Sequence, residues 1–268
     1  MLKVFDATPC NLGEGIYIDQ KYNYIYWLDI NKNVLLYKNL DIGSELRTIN
    51  LDVTPSVIFT VTNGIITLLD AIGILSLNLT TLETKRITKF NHDPLKFRGN
   101  DGVLTSDGTY LFGSMERNPN SVSGAIYSSN LKDVLILDNI GIPNTFIELN
   151  NVILISDSLE QRIYSYCKNT FEKLNVWLDF SDTSMTPDGG CVTPDNRIFI
   201  AFWDGACVKE FDETGLEINT IPIPALKPTN CKYHKNGFLI VTTAREGMTV
   251  EQLRTYPKSG QTFHVGIF

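Results

Sequence analysis

Tyr24-Ile25-Tyr26-Trp27-Leu28-Asp29 is a short run rich in aromatic and apolar side chains that ends in an acid, preceded by Asn23 and followed by Asn31 and Asn33. It is too short for a helix and carries no 3.6-residue spacing, so it reads as a buried β-strand. A second run, Val34-Leu35-Leu36-Tyr37, follows closely, and the couple recurs down the chain. Gly64–Leu69 is followed by Gly73–Leu77, Tyr110–Ser114 by Ala125–Ser128, Val152–Asp157 by Arg162–Tyr166, and Arg197–Ala201 by Cys207–Phe211; Gly237–Thr242 comes last. Their apolar centres, Leu28, Leu68, Phe112, Ile155, Ala201 and Val241, are separated by 40, 44, 43, 46 and 40 residues. A repeat of that length, with about four strands per unit, is the spacing of propeller blades. Six such units use up all 268 residues. The expected fold is therefore all-β, a six-bladed β-propeller forming a single domain over 1–268. The ring would close by pairing the terminal runs Leu2–Phe5 and Phe263–Ile267 in one shared blade.

Composition narrows the function. With 43% hydrophobic and 20% charged residues the chain is not disordered. Its net charge is −7, from 23 basic and 30 acidic residues, and no Lys/Arg cluster supplies the basic face that phosphate neutralisation needs. A nucleic-acid partner is not expected. An acid at Asp6 interrupts any secretory-type apolar run, and the longest apolar region, Val57–Leu69, contains Thr and Asn. A cytoplasmic protein without a membrane partner is expected. Cys10, Cys167, Cys191, Cys207 and Cys231 are odd in number and contain no CxxC, so they read as reduced, buried thiols rather than a disulfide framework or zinc site. The sequon Asn78-Leu79-Thr80 is then incidental.

Four segments place polar side chains beside glycine or proline near the predicted strand ends: Leu12-Gly13-Glu14-Gly15, Arg98-Gly99-Asn100-Asp101-Gly102, Ile142-Pro143-Asn144 and Thr186-Pro187-Asp188-Gly189-Gly190. Each alone could be a turn, as Ser106-Asp107-Gly108 and Pro194-Asp195-Asn196 are expected to be. Together they offer Glu, Asn and Asp oxygens from different repeat units, a donor set suited to a hard cation. His92, His234 and His264 lie outside these segments and read as packing or surface residues. No serine has the G-x-S-x-G setting of a nucleophile elbow.

On these segments the chain resembles the gluconolactonase/regucalcin (senescence marker protein) family of six-bladed propellers. Leu12–Gly15 with Tyr26–Ile30, Arg98–Gly102 with Phe112–Met115, Pro143-Asn144 with Ser156-Asp157-Ser158, and Pro187–Gly189 with Ala201–Trp203 match its motifs in order; Pro228-Thr229-Asn230-Cys231 and Val241–Arg245 resemble its closing segments. The resemblance implies one divalent cation (Ca²⁺, Zn²⁺, Mg²⁺ or Mn²⁺) held by Glu14, Asn144 and Asp188. It also implies that Arg98 and Asn100 bind substrate oxygens. Asp101 would orient a ligand or simply make a turn. Two departures stand out. Thr145 replaces the family's glycine, so a different local backbone is expected there. Where some relatives carry a substrate-contacting acid, the count from Met115 gives Asn118, with Glu116 the nearby acid.

The implied activity is hydrolysis of a sugar (aldono-) lactone. A cation would polarise the carbonyl, and Asp188 would serve as catalytic residue toward water. Two alternatives share the scaffold: a metal-dependent phosphoester or organophosphate hydrolase, and a calcium- or sugar-binding propeller without turnover.

Overall fold

The computed structural model of the protein describes residues 1–41, 43–120, 122–129 and 134–267. Its strands are β1 (Leu2–Asp6), then β2 (Gly13–Asp19), β3 (Tyr24–Asp29), β4 (Val34–Asn39) and β5 (Arg47–Asn50), which form the first four-stranded sheet. The second sheet is β6 (Pro55–Thr62), β7 (Ile65–Asp70), β8 (Ile74–Asn78) and β9 (Thr84–Arg86). The third is β10 (Phe97–Leu104), β11 (Tyr110–Glu116), β12 (Gly124–Ser128) and β13 (Val134–Ile140). The fourth is β14 (Pro143–Glu148), β15 (Val152–Asp157), β16 (Arg162–Cys167) and β17 (Lys173–Asp179). The fifth is β18 (Thr186–Val192), β19 (Ile198–Trp203), β20 (Cys207–Phe211) and β21 (Glu217–Pro222). The sixth joins β22 (Lys227–His234), β23 (Phe238–Ala244) and β24 (Thr262–Gly266) to β1 as its outer strand. These are the blades of a six-bladed β-propeller. The terminal runs pair as expected, Leu2 opposite Val265 and Val4 opposite Phe263.

Two compact units of three blades each make up the chain. Unit 1 holds Met1–Asp52 and the stretch from Thr183 onward; unit 2 is Val53–Asp182. In unit 1, Trp27, Ile25, Ile16 and Leu36 pack with Phe238 and Ile240, while Phe199, Ala201 and Val208 pack with Leu239, Val241 and Phe263. In unit 2, Phe59, Leu69, Phe90, Phe112 and Tyr127 form one core, and Leu111, Ile126, Phe146, Ile153, Ile155 and Tyr164 another. The second strand of a blade is covered on both faces, which is why Tyr24–Asp29 reads as an unbroken apolar run instead of an alternation. Fully burying such side chains contributes about 1.5–3 kcal/mol each. The outer strands β5, β9, β17 and β21 are largely exposed; β5 and β9 carry mostly polar or charged side chains, which discourage edge-to-edge pairing, whereas β17 exposes Leu174 and Val176 and β21 exposes Ile218.

All five cysteines are free; Cys167 is half-buried and the other four are buried. Cys191 and Cys231, on β18 and β22, hydrogen-bond to one another, and burial pushes the Cys231 thiol well above its usual value, so it packs as a neutral group. The histidines are packing residues: Phe238 stacks between His234 and His264, and His92 stacks on Phe90. Among the described residues no helix is long and apolar enough to cross a membrane.

Candidate metal and substrate site

The four polar segments are not turns. Each lies near the start of a blade's first strand, at a β-bulge where two residues oppose one. Gly15 and Ile16 are the extra pair in β2, between the Glu14–Leu28 and Tyr17–Tyr26 pairs. Asn100 and Asp101 occupy the same place in β10, Thr145 and Phe146 in β14, and Asp188 and Gly189 in β18. A bulge bends the strand and re-aims the side chains around it. The turn reading of Asp101 is thereby corrected: it is buried inside a strand. By contrast, Ser106-Asp107-Gly108 and Pro194-Asp195 are turns as expected.

In unit 1, Glu14 is half-buried, and its Oε2 accepts from the Gly15 N–H at 3.0 Å and from Asn230 Nδ2 at 3.1 Å. Gly15 has φ +61°, a conformation glycine adopts without penalty. Asp188 is 8% exposed. Its neighbour Gly189 lies against the Asn230 carboxamide, so close that a Cβ at 189 would come within 2.3 Å of it. Glu14 and the Asp188-Gly189 segment are therefore linked through one side chain of β22.

In unit 2 the amides form a relay. Arg98 Nη1 donates to Asn100 Oδ1 at 2.8 Å and to the Gly99 carbonyl at 2.9 Å. Asn100 Nδ2 donates to Asn144 Oδ1 at 2.9 Å and to the Pro143 carbonyl at 3.1 Å. Asn144 Nδ2 donates to Ser158 Oγ at 3.0 Å. These bonds fix which end of each amide is oxygen. A carbonyl-type oxygen has two lone pairs, so Asn144 Oδ1 can accept from Asn100 and still face a cation.

Thr145 occupies a left-handed backbone position. It has φ +73°, within a few tens of degrees of Gly15 at the matching bulge. The chain keeps the left-handed geometry with a β-branched residue, which costs about 1–2 kcal/mol. A bond from Thr145 Oγ1 to Ser156 Oγ, 2.9 Å long and buried, holds it there.

Asn118 and Glu116 line one cavity of about 680 Å³ in unit 2, with Asp93, Leu95, Lys96, Arg117 and Asn120. Glu116 is buried and paired with Lys96 Nζ at 3.1 Å, whereas Asn118 is exposed. Arg98 and Asn100 do not line it.

Reading the sequence alone assigned no role to Asp29, Asp157 or Asn230. Asp29 accepts from the Asn11 and Leu12 N–H groups at 2.8 and 3.2 Å, just ahead of Glu14. Asp157 accepts from Gly141 and Ile142 at 2.7 and 3.0 Å, just ahead of Asn144. Their shared place at the end of a blade's second strand was the available signal.

Such features, a six-bladed propeller with oxygen-bearing side chains carried on bulged first strands, define a structural class. The chain belongs to the SMP-30/gluconolactonase/LRE-like family, whose model, described as the SMP-30/Gluconolactonase/LRE-like region, matches residues 12–245. It is 25% identical to regucalcin of Gallus gallus over 95% of this chain and 90% of that protein. To the L-arabinolactonase of Azospirillum brasilense it is 26% identical, over 97% of this chain and 91% of that one. Its fold is similar to that of a solved calcium-binding protein, regucalcin, from Agrobacterium tumefaciens, with TM-score 0.92 and 23% identity over 98% of this chain and 92% of that one.

Proposed function

We propose that this protein is a lactonase that hydrolyses a sugar lactone of the aldonolactone class to the open-chain acid with the help of one divalent cation, its six blades serving as a single domain. One observation carries the reading: Glu14, Asn100, Asn144 and Asp188, in four different blades, all stand at or beside the bulge of a first strand. The similarity to an L-arabinolactonase over nearly the full length of both chains supports the choice of reaction.

The donor chemistry fits a hard cation. Glu14 and Asp188 supply carboxylate oxygens and Asn144 an amide oxygen, the ligand types that Ca²⁺, Mg²⁺ and Mn²⁺ prefer. Among the described residues no three His, Cys, Asp or Glu side chains gather, in keeping with a set containing only two carboxylates. When bound, the cation supplies Lewis-acid polarisation of the lactone carbonyl and eases ionisation of water.

The rest of the chemistry falls to side chains. Asp188, nearly buried, takes a proton from the attacking water at a carboxylate oxygen. The water oxygen bonds to the carbonyl carbon, the ring C–O bond breaks, and the ring oxygen leaves as a hydroxyl carrying the proton that Asp188 took from the water and now returns. Arg98 and Asn100 hold the sugar oxygens in register, and the relay from Arg98 to Asn144 keeps those donors preorganised. Asn118, which lines a cavity with Glu116, adds one polar contact to the substrate.

Hydrolysis releases an acid, so a pH-release assay on several aldonolactones, with Ca²⁺, Mg²⁺, Mn²⁺ or Zn²⁺ supplied, reads the reaction directly. Asp188→Ala is expected to lower turnover by about 10²–10⁴-fold; near-normal turnover would remove Asp188 from the mechanism. Faster cleavage of an aryl phosphotriester would favour a phosphoester hydrolase. Cation binding with no acceleration over spontaneous hydrolysis would favour a binding protein.

A further inference from the structure

We propose that Asn230 is a further oxygen donor of the cation site and favours Ca²⁺ over Zn²⁺, an inference that rests on the reading of Glu14 as a ligand. Asn230 is 2% exposed and follows the Thr229 bulge of β22. Thr229 Oγ1 donates to the Gly13 carbonyl, which ties this bulge to the one bearing Glu14. Asn230 Nδ2 donates to Glu14 Oε2 at 3.1 Å. A carboxylate only accepts, so the amide cannot be reversed without setting two acceptors face to face. That fixes the position of Oδ1, and this buried oxygen has no hydrogen-bond partner. Buried amide oxygens are seldom left so. The carboxamide also lies flat on Gly189, beside Asp188, at a distance only glycine permits. An acceptor fixed between two carboxylate-bearing segments, with no protein donor to satisfy it, is suited to a cation.

The chemistry selects among cations. Ca²⁺ takes six to eight oxygen ligands, neutral amide oxygens among them, whereas Zn²⁺ is satisfied by about four ligands and favours nitrogen and sulfur. An added neutral oxygen therefore strengthens Ca²⁺ binding more than Zn²⁺ binding.

The test is calorimetric titration of the full-length protein with Ca²⁺ and with Zn²⁺, independent of any turnover. Asn230→Leu, similar in volume and without the oxygen, is expected to weaken Ca²⁺ binding at least tenfold and Zn²⁺ binding less than threefold. Asn230→Ser, whose oxygen is too short to reach, provides the same comparison if the leucine variant fails to fold. Ca²⁺ affinity within twofold of wild type, or equal losses for both ions, would overturn the donor role. A lower melting temperature of the metal-free variant without a change in the Ca²⁺/Zn²⁺ ratio would likewise make Asn230 merely structural. Glu14→Gln separates the two levels: if it abolishes Ca²⁺ binding while the Asn230 variants do not affect it, only this inference fails. If it too leaves Ca²⁺ binding intact, the reading of the site fails with it.

Discussion

Thr145 combines a left-handed backbone with a branched Cβ, an arrangement that persists only when neighbours enforce it. Two opposing terms decide what happens when it is changed. Thr145→Gly relieves about 1–2 kcal/mol of strain, but loses one hydrogen bond worth about 1 kcal/mol and adds about 0.4–1 kcal/mol of unfolded-chain entropy. The terms nearly cancel, so this variant is expected within about 1 kcal/mol of wild type. Thr145→Val keeps the strain and removes the bond to Ser156, and should lose about 1–3 kcal/mol. Urea denaturation midpoints distinguish the two; equal losses would mean that the hydroxyl is not what holds the backbone.

Among the elements, each first strand depends on the second strand beside it. Asp157 ends β15 and accepts from three backbone N–H groups, those of Gly141, Ile142 and Leu159, two of which belong to the segment leading into β14. Asp157→Ala strands these donors in a partly buried setting and should cost about 3 kcal/mol, while lowering turnover through displacement of Asn144. Denaturant unfolding together with the lactone assay checks both, and a loss below about 1 kcal/mol would contradict the tethering role. The existence of these strands was legible from short apolar runs such as Val152–Asp157, and the candidate donors stood out as polar residues beside glycine. The bulges were not legible, because a bulge is a mismatch between two strands and leaves no periodic trace in either. For the same reason a turn stood open as one of two readings of Asp101, and Asn230 reads in the sequence only as part of a closing motif, its bond to Glu14 being a contact between blades.

At the scale of the molecule, the six-unit count followed from the spacing of Leu28, Leu68, Phe112, Ile155, Ala201 and Val241, since each sits in the doubly covered second strand of its blade. The grouping into two compact units left no mark on that spacing. Acid stability is set in part by the three histidines. Burial lowers His92, His234 and His264 below their ordinary value near 6.5, with Lys235 and His264 adding to the effect at His234, and Lys3 and the N-terminus at His264. The fold thus favours neutral rings. That stability is fully present above about pH 6.5 and is lost as pH falls through the folded values, at up to about 1.4 kcal/mol per pH unit for each ring still neutral. Urea midpoints should fall between pH 6.5 and 5.5, and fall less in His264→Phe. A flat midpoint across that window would show that the rings are not held neutral.

The pairing of β1 with β24 also orders events in time. Leu2 and Val265 are neighbours in space yet stand at opposite ends of the sequence. On the ribosome, β1 is made before the other five blades and has no partner until β24 has followed them. The other five blades separate the two strands in sequence, and contacts of such long range slow folding. Until then the sixth blade lacks its outer strand, and β24 presents an open edge to any other nascent chain. The joint that closes the sixth blade is therefore a step at which folding is open to aggregation.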